Sequence, residues 1–278
     1  MSETVQCSTH GESQKAFVCK HLVGENFGLG FNRNDPNDDN PFPDAWCDAC
    51  EGCRMEYGGW TEESEKHIGI SLICSNCYRR ALLCNQKTTV TLDELACLRW
   101  KCSSCDEWHT GPMLDVGSDW PSYWSSNNDS GRRWVFDESG NRIDGTPTFL
   151  DSDYCAVDDE YFFVRGLIHL PIIGAGEAFR FGIWGSLSRT NFEALIRADA
   201  AGEQPEFEPM FSWLSTRLEL YPDTDEGLKM YAHIQEPGMR PHFHLEPTDH
   251  PLARDYHEGI TVERLKEIMF TYLPPQQV

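Results

Sequence analysis

Four pairs of metal-binding side chains stand near the start of the chain: Cys7-x2-His10, Cys19-x-His21, Cys47-x2-Cys50 and Cys74-x2-Cys77. Thiolate and imidazole are the ligands zinc prefers, and two intervening residues suit a tight turn around one ion. Four pairs therefore predict two four-coordinate zinc ions. Sites of that kind are closed to substrate; they hold up a fold and do not cut bonds. A further pair, Cys102-x2-Cys105, is a candidate third zinc site, with His109 and Cys155 as the residues that would complete it.

Two pairings of the first four are open. In a sequential scheme Cys7, His10, Cys19 and His21 hold one ion, and Cys47, Cys50, Cys74 and Cys77 the other. A crossed scheme would resemble a RING finger, but the long run between His21 and Cys47 departs from RING spacing. The sequential scheme is the expectation. Cys53 and Cys84 are left over and read as small buried or surface thiols.

Other candidates lie later in the chain. His242, His244 and Glu246 alternate along an expected strand, so all three share one face. His233 is expected on the neighbouring strand, and Asp249 and His250 in a following turn. Histidines and a carboxylate on one face could bind a catalytic metal with open positions. The wet face of an antiparallel strand has the same pattern, and that reading is preferred. The Asp158–Asp159–Glu160 run reads as a solvated turn. The sequence has no Gly-x-Ser-x-Gly elbow, phosphate loop or dinucleotide fingerprint.

The elements that must position these residues follow from composition and pattern. The chain has 278 residues, 40% of them hydrophobic, which is too much core material for a disordered acidic chain. Asp and Glu number 45 against 23 Lys and Arg, a net charge of −22. That balance excludes a basic nucleic-acid surface and disfavours an anionic membrane. No apolar run is long enough to span a bilayer, and the first residues lack a secretion signal, so the expected location is cytoplasmic. Paired cysteines in a reducing compartment fit metal ligation better than disulfides.

Eleven of the 12 cysteines fall at or before Cys105. This divides the chain into a zinc module over 1–90 and an α+β domain over 99–278. Thr91 and Glu94 suggest a capping box and a short helix between the two. Strands are expected over 161–173, 178–187, 229–235 and 240–246, with a hairpin turn at 139–141. Helices are expected after Ser188, over 210–218, and from Thr261 with Leu265, Ile268, Met269 and Tyr272 buried and Pro274 and Pro275 as the stop. Strands and helices do not alternate regularly, which favours an antiparallel sheet.

Four segments, KCSSCDEWHTGPMLDVGSDWPSYW, DSDYCAVDDEYFFVRGLIHLPIIG, FGIWGSLSRTNFE and LEPTDHPLARDYHEGIT, resemble in order a bacterial family catalogued as domain of unknown function 2199. The resemblance covers about residues 100–273. It maps the family's motifs onto Cys102, Cys105, His109, Asp158, Arg165, Trp184, Glu246, Asp249 and His250, and implies no reaction for any of them. Residues 125–148 look inserted relative to the family's usual run. The segments FVCKHL, AWCDACE, GGW and LICSNCY are similar to a small bacterial zinc module found on various domains. The resulting expectation is a non-catalytic, acidic protein-interaction module, an adaptor or an immunity-type protein that meets a basic partner. The alternatives are a metal-dependent enzyme built on His242, His244 and Glu246, and a redox or metal sensor using the extra thiols.

Overall fold

The computed structural model describes residues 3–102, 105–202, 207–224 and 227–273. The chain is α+β with mixed sheets, and it forms two compact units. The first comprises Met1–Leu114, Leu170–Phe179 and His257–Val278; the second comprises Asp115–His169 and Arg180–Tyr256. The first unit thus runs past the boundary expected near residues 91–98 and takes in two later segments.

The first unit is built on β2 (Gly11–Cys19), which pairs antiparallel with β1 (Thr4–Cys7). The two-residue strands β3 (Asn32–Arg33) and β4 (Ala45–Trp46) join it through a parallel β2–β4 pairing, Val18 against Ala45. β5 (Ile70–Cys74) pairs antiparallel with β2. Helices α1 (Asp48–Glu56), α2 (Glu62–Ile68) and α3 (Ser75–Asn85) complete this part. Val18, Leu22, Ala45, Ile68, Tyr78 and Ala81 form its core together with Cys19, Cys47 and Cys50. Phe31 and Phe42 meet the Tyr78 ring edge-on, at 5.2 and 5.5 Å. The capping box lies at Thr61 and Ser64 of α2. At Thr91 and Glu94 there is instead a single 3-10 turn, Asp93–Leu95, which contains Glu94 and whose N-cap, Leu92, makes no side-chain hydrogen bond. A short hairpin, β6 (Arg99–Lys101) and β7 (Trp108–Thr110), follows.

The second unit begins with β8 (Asp115–Gly117), followed by the hairpin β9 (Val135–Phe136) and β10 (Arg142–Asp144). That hairpin turns at the expected Ser139–Asn141 and occupies the segment that looked inserted. It delivers a core residue: the Trp134 indole is 2% exposed and packs against Phe149, Phe162 and Phe192. The main sheet uses β11 (Phe149–Leu150), β12 (Tyr154–Val157), β13 (Tyr161–Ile172), β14 (Glu177–Leu187), β15 (Met210–Trp213), β16 (Lys229–His233) and β17 (His242–Leu245). Its order is β11-β12-β13-β17-β16-β15, with β14 paired to β13 and β8 paired to β14.

Two expectations are corrected here. The sheet is mixed, because β13–β17 and β14–β8 are parallel. Residues 210–213 form a strand, not a helix: Met210 and Ser212 are buried and Phe211 and Trp213 exposed, the two-residue alternation of a sheet edge. Helix α4 (Arg189–Ala201) starts as expected, the Ser188 hydroxyl accepting from the Asn191 N–H at 3.2 Å. α5 (Pro251–Glu258) precedes α6 (Val262–Tyr272). α6 belongs to the first unit and buries Leu265, Ile268 and Met269 as predicted, with Tyr272 half-buried. Pro274 and Pro275 lie outside the described residues. Among the described residues no helix is long and apolar enough to cross a membrane.

Candidate metal centres and the histidine face

Strand register decides which ligand pairs meet. Antiparallel β5 runs from Ile70, opposite Cys19, to Cys74, opposite Lys15, so Cys74 lies at the end of β5 away from Cys19. Parallel β4 sets Ala45 beside Val18, so Cys47 arrives at the other end of β2, next to Cys19 and His21. The clusters are therefore nested: Cys7, His10, Cys74 and Cys77 outside, Cys19, His21, Cys47 and Cys50 inside. The sequential scheme is overturned, and a RING-type crossing, which would join the first pair to the third, is not formed either. Each cluster holds three sulfurs and one imidazole, and each could hold one metal ion.

The separations suit a tetrahedron. With metal–sulfur bonds of about 2.3 Å and metal–nitrogen bonds of about 2.05 Å, the edges should be about 3.8 Å between sulfurs and about 3.6 Å from sulfur to nitrogen. Cys47 and Cys50 sulfurs are 3.6 Å apart, and those of Cys7 and Cys77 are 4.0 Å apart. His10 Nδ1 lies 3.5, 3.4 and 3.5 Å from Cys7, Cys74 and Cys77. His21 Nδ1 lies 3.3 Å from Cys50 and 3.6 Å from Cys47.

Both Cys-x2-Cys pairs sit at helix starts. Cys47 is the N-cap of α1 and Cys74 that of α3, so Cys50 and Cys77 fall in the first turns. Backbone N–H groups turn towards the sulfurs: Cys47 N–H donates to Cys19 Sγ and Cys77 N–H to Cys74 Sγ, each at 3.4 Å. Helix N-termini favour thiolates electrostatically. Burial works the other way and pushes the Cys19 and Cys50 thiols up. Cys77, donating to Cys74 and buried, is pushed up as well, while Cys74, accepting from Cys77 and His10, is held down to about 3. Buried sulfurs sharing protons this closely are where a dication would displace the protons on binding.

The third group gathers Cys102, Cys105 and His109 around the β6–β7 hairpin. Cys105 Sγ is 3.2 Å from His109 Nε2, and the His109 ring stacks on Trp100 at 4.7 Å. The expected fourth ligand, Cys155, is not among the three. It is fully buried in β12 beside Val157, Phe163 and Trp184, and burial pushes its thiol up to about 12. It serves there as a small apolar side chain. Cys84 is likewise buried in α3 and pushed up to about 12. Cys53 is half-buried on α1.

The histidines of the second unit do share a face. His242 faces His233 across the β16–β17 pair, and Tyr231 faces His244. The His233 and His244 rings stack at 3.9 Å. A fourth histidine joins them from β13. Leu167 pairs with His242, and His169, two residues on, lies on the same side of the sheet. The His169 ring meets that of His242 at 4.5 Å, and the pair offers ring nitrogens within 4.8 Å of each other. His169 was not among the residues singled out from the sequence. The signal was there: His169 is, with Arg165, one of two strongly polar interruptions of the apolar run YFFVRGLIHLPII.

The remaining candidates have structural partners. Glu246 Oε1 accepts from the Tyr231 hydroxyl at 3.3 Å. His250 contacts the Pro222 carbonyl through Nε2 at 2.9 Å and accepts from the Leu252 N–H, which ties down the start of α5. Asp249 is exposed. Asp158 and Asp159 take positive φ, 55° and 56°, in the β12–β13 turn. Asp159 pairs with Arg142 at 3.1 Å and with Arg189 at 2.9 Å.

Fold and site together define an α+β protein with two complete Cys3His clusters in its first unit. The chain belongs to the family described as an uncharacterized protein conserved in bacteria, DUF2199, whose model matches residues 101–260, more than half of its length. No curated protein and no solved structure is significantly similar to it.

Proposed function

We propose that this is a zinc-stabilised, non-catalytic interaction protein that recognises a basic protein partner. The observation carrying the first half is that each nested cluster supplies four soft ligands at tetrahedral spacing. A zinc ion held there has no open position for substrate, so its work is to fold residues 4–85. The partner's charge is argued from the net −22 of the chain, which favours and steers a basic protein.

Native mass spectrometry of the untagged protein tests the zinc reading. Two zinc ions that leave only with unfolding support it, with a third if Cys102, Cys105 and His109 recruit another ligand. A metal-free folded protein refutes it. The partner reading is tested by salt-graded co-purification from the native host. A basic protein retained at low salt and released at high salt supports it; retention insensitive to salt counts against it.

The His169–His242 pair favours a second reading, a metal-dependent enzyme. Two imidazoles leave most of a metal's coordination positions open to water or substrate. Here His169→Ala and His242→Ala should each abolish an exchangeable ion while the tightly held zinc remains. Unchanged metal content in both variants would end this reading.

A further inference from the structure

The long strand β13 changes neighbours along one edge. Its first half pairs antiparallel with β12, Tyr154 opposite Val164; its second half pairs parallel with β17, Leu167 opposite His242. Between the two registers the Arg165 N–H donates to the Asp153 carbonyl at 2.8 Å, and the Leu167 N–H to the Pro241 carbonyl at 2.9 Å. β12 and β17 therefore meet the same edge in succession and diverge. A crevice of about 420 Å³ opens at the split, lined by Asp153, Arg165, Leu167, Met239, Arg240 and Pro241, among others.

Two guanidiniums converge on this crevice in a strongly acidic chain. Arg240 is partly committed: its Nε donates to Asp153 at 2.9 Å and one terminal nitrogen reaches the Ser152 carbonyl at 3.4 Å. Asp199, also in the wall, is engaged by Arg133 at 2.5 Å. Arg165 is different. Its Nε is shielded from solvent and has no hydrogen-bond partner among the described residues. The guanidinium lies over the Trp184 ring, 5.9 Å away, and the Asp119 and Asp153 carboxylates are near enough to favour its charge. Burial and the nearby Arg240 charge both pull the Arg165 pKa below its ordinary value. A buried guanidinium N–H with no acceptor is costly, because that donor has lost water and gained nothing. The fork of N–H groups fits a two-oxygen anion.

We propose that the crevice at the β12/β17 split is a binding site for a small anionic molecule, whose carboxylate or phosphate is held by Arg165 with Arg240 as second cation. The anion supplies the acceptor that Arg165 Nε lacks. The apolar wall of Leu167, Met239 and Pro241 takes the rest of a small molecule, and the volume excludes a large one. This proposal is independent of the zinc and partner readings.

The test uses the full-length protein with its metals at low ionic strength. Inorganic phosphate and succinate are titrated separately by calorimetry, with chloride as the ionic-strength control; the two arms distinguish a phosphate from a carboxylate site. One of the two anions should bind saturably, one per chain, where chloride does not. Arg165→Met should weaken that binding roughly tenfold or more, the loss of a charge-assisted contact. Arg165→Lys keeps the charge without the fork and should also weaken it. Arg240→Gln provides a second variant if Arg165→Met fails to fold, and should weaken binding too. Absence of saturable binding by both anions overturns the proposal, as does wild-type affinity in folded Arg165→Met or Arg165→Lys.

Discussion

Removing Cys7 and His10 together separates the nested pairing from the sequential one. In the nested arrangement Cys7→Ser/His10→Ala takes two of four ligands from the outer cluster and none from the inner. One metal ion should be lost and one kept. A structural zinc contributes on the order of 10 kcal/mol to folding its segment, comparable to the roughly 5–15 kcal/mol total stability of a small domain. β1 has nothing to offset that loss. Its four residues are exposed or half-buried and contribute no core side chain. It should detach from β2. α3 should hold better, because Tyr78 and Ala81 are buried against the inner core and the Tyr78 hydroxyl donates to the Pro43 carbonyl at 2.7 Å. The readout is iodoacetamide labelling mapped by peptide mass spectrometry, alongside native mass. Cys74 and Cys77 should become reactive while Cys19, Cys47 and Cys50 stay protected. Labelling of Cys19 with continued protection of Cys74 and Cys77 would refute the register argument.

Three other outcomes follow from the packing. Cys155→Ala should leave the metal content unchanged, which native mass spectrometry reads directly. In the wild type the Cys155 thiol, pushed up to about 12, stays protonated and unlabelled between about pH 7 and 9 while the fold persists. Gly166→Ala should destabilise the second unit by about 1–3 kcal/mol or more, since its Cβ would approach Phe243 Cε2 to 2.4 Å and the Pro241 carbonyl to 2.6 Å; denaturant unfolding measures this, and an unchanged midpoint would contradict the packing. Ser188→Ala removes the α4 N-cap and should cost about 1 kcal/mol, visible as a lower melting temperature, whereas Ser188→Asp should restore most of it.

The sequence carried the local signals well. The Cys and His pairs were legible because ligation and tight turns both impose short spacing, and the structure puts all eight residues in clusters. β13, β14, β16, β17, α4 and α6 were legible from apolar period and caps at Ser188 and Thr261. The misreadings arise where a local pattern has two solutions. MFSWLSTRL fits a short amphipathic helix and its start also fits an edge strand, and pairing of Met210–Trp213 with β16 chose the strand. TLDEL has a capping-box sequence but no apolar face long enough to propagate a helix, and it stops at one 3-10 turn.

What the residues determined by themselves is the chemistry available: three soft-ligand groups, an acidic surface, and histidines alternating along one strand. Only the tertiary structure decided which of these meet. Ligand pairing follows from β5 running antiparallel and β4 parallel to β2, long-range choices that spacing along the chain does not encode. His169 reaches His242 because β13 and β17 pair in parallel. Arg165 Nε is left without an acceptor where β12 and β17 part beside it. Each is a property of register between segments distant in sequence; for β13, β16 and β17 it is set by burial of the opposite sheet face, where Ile168, Ala232, Phe243 and Leu245 are almost fully excluded from solvent.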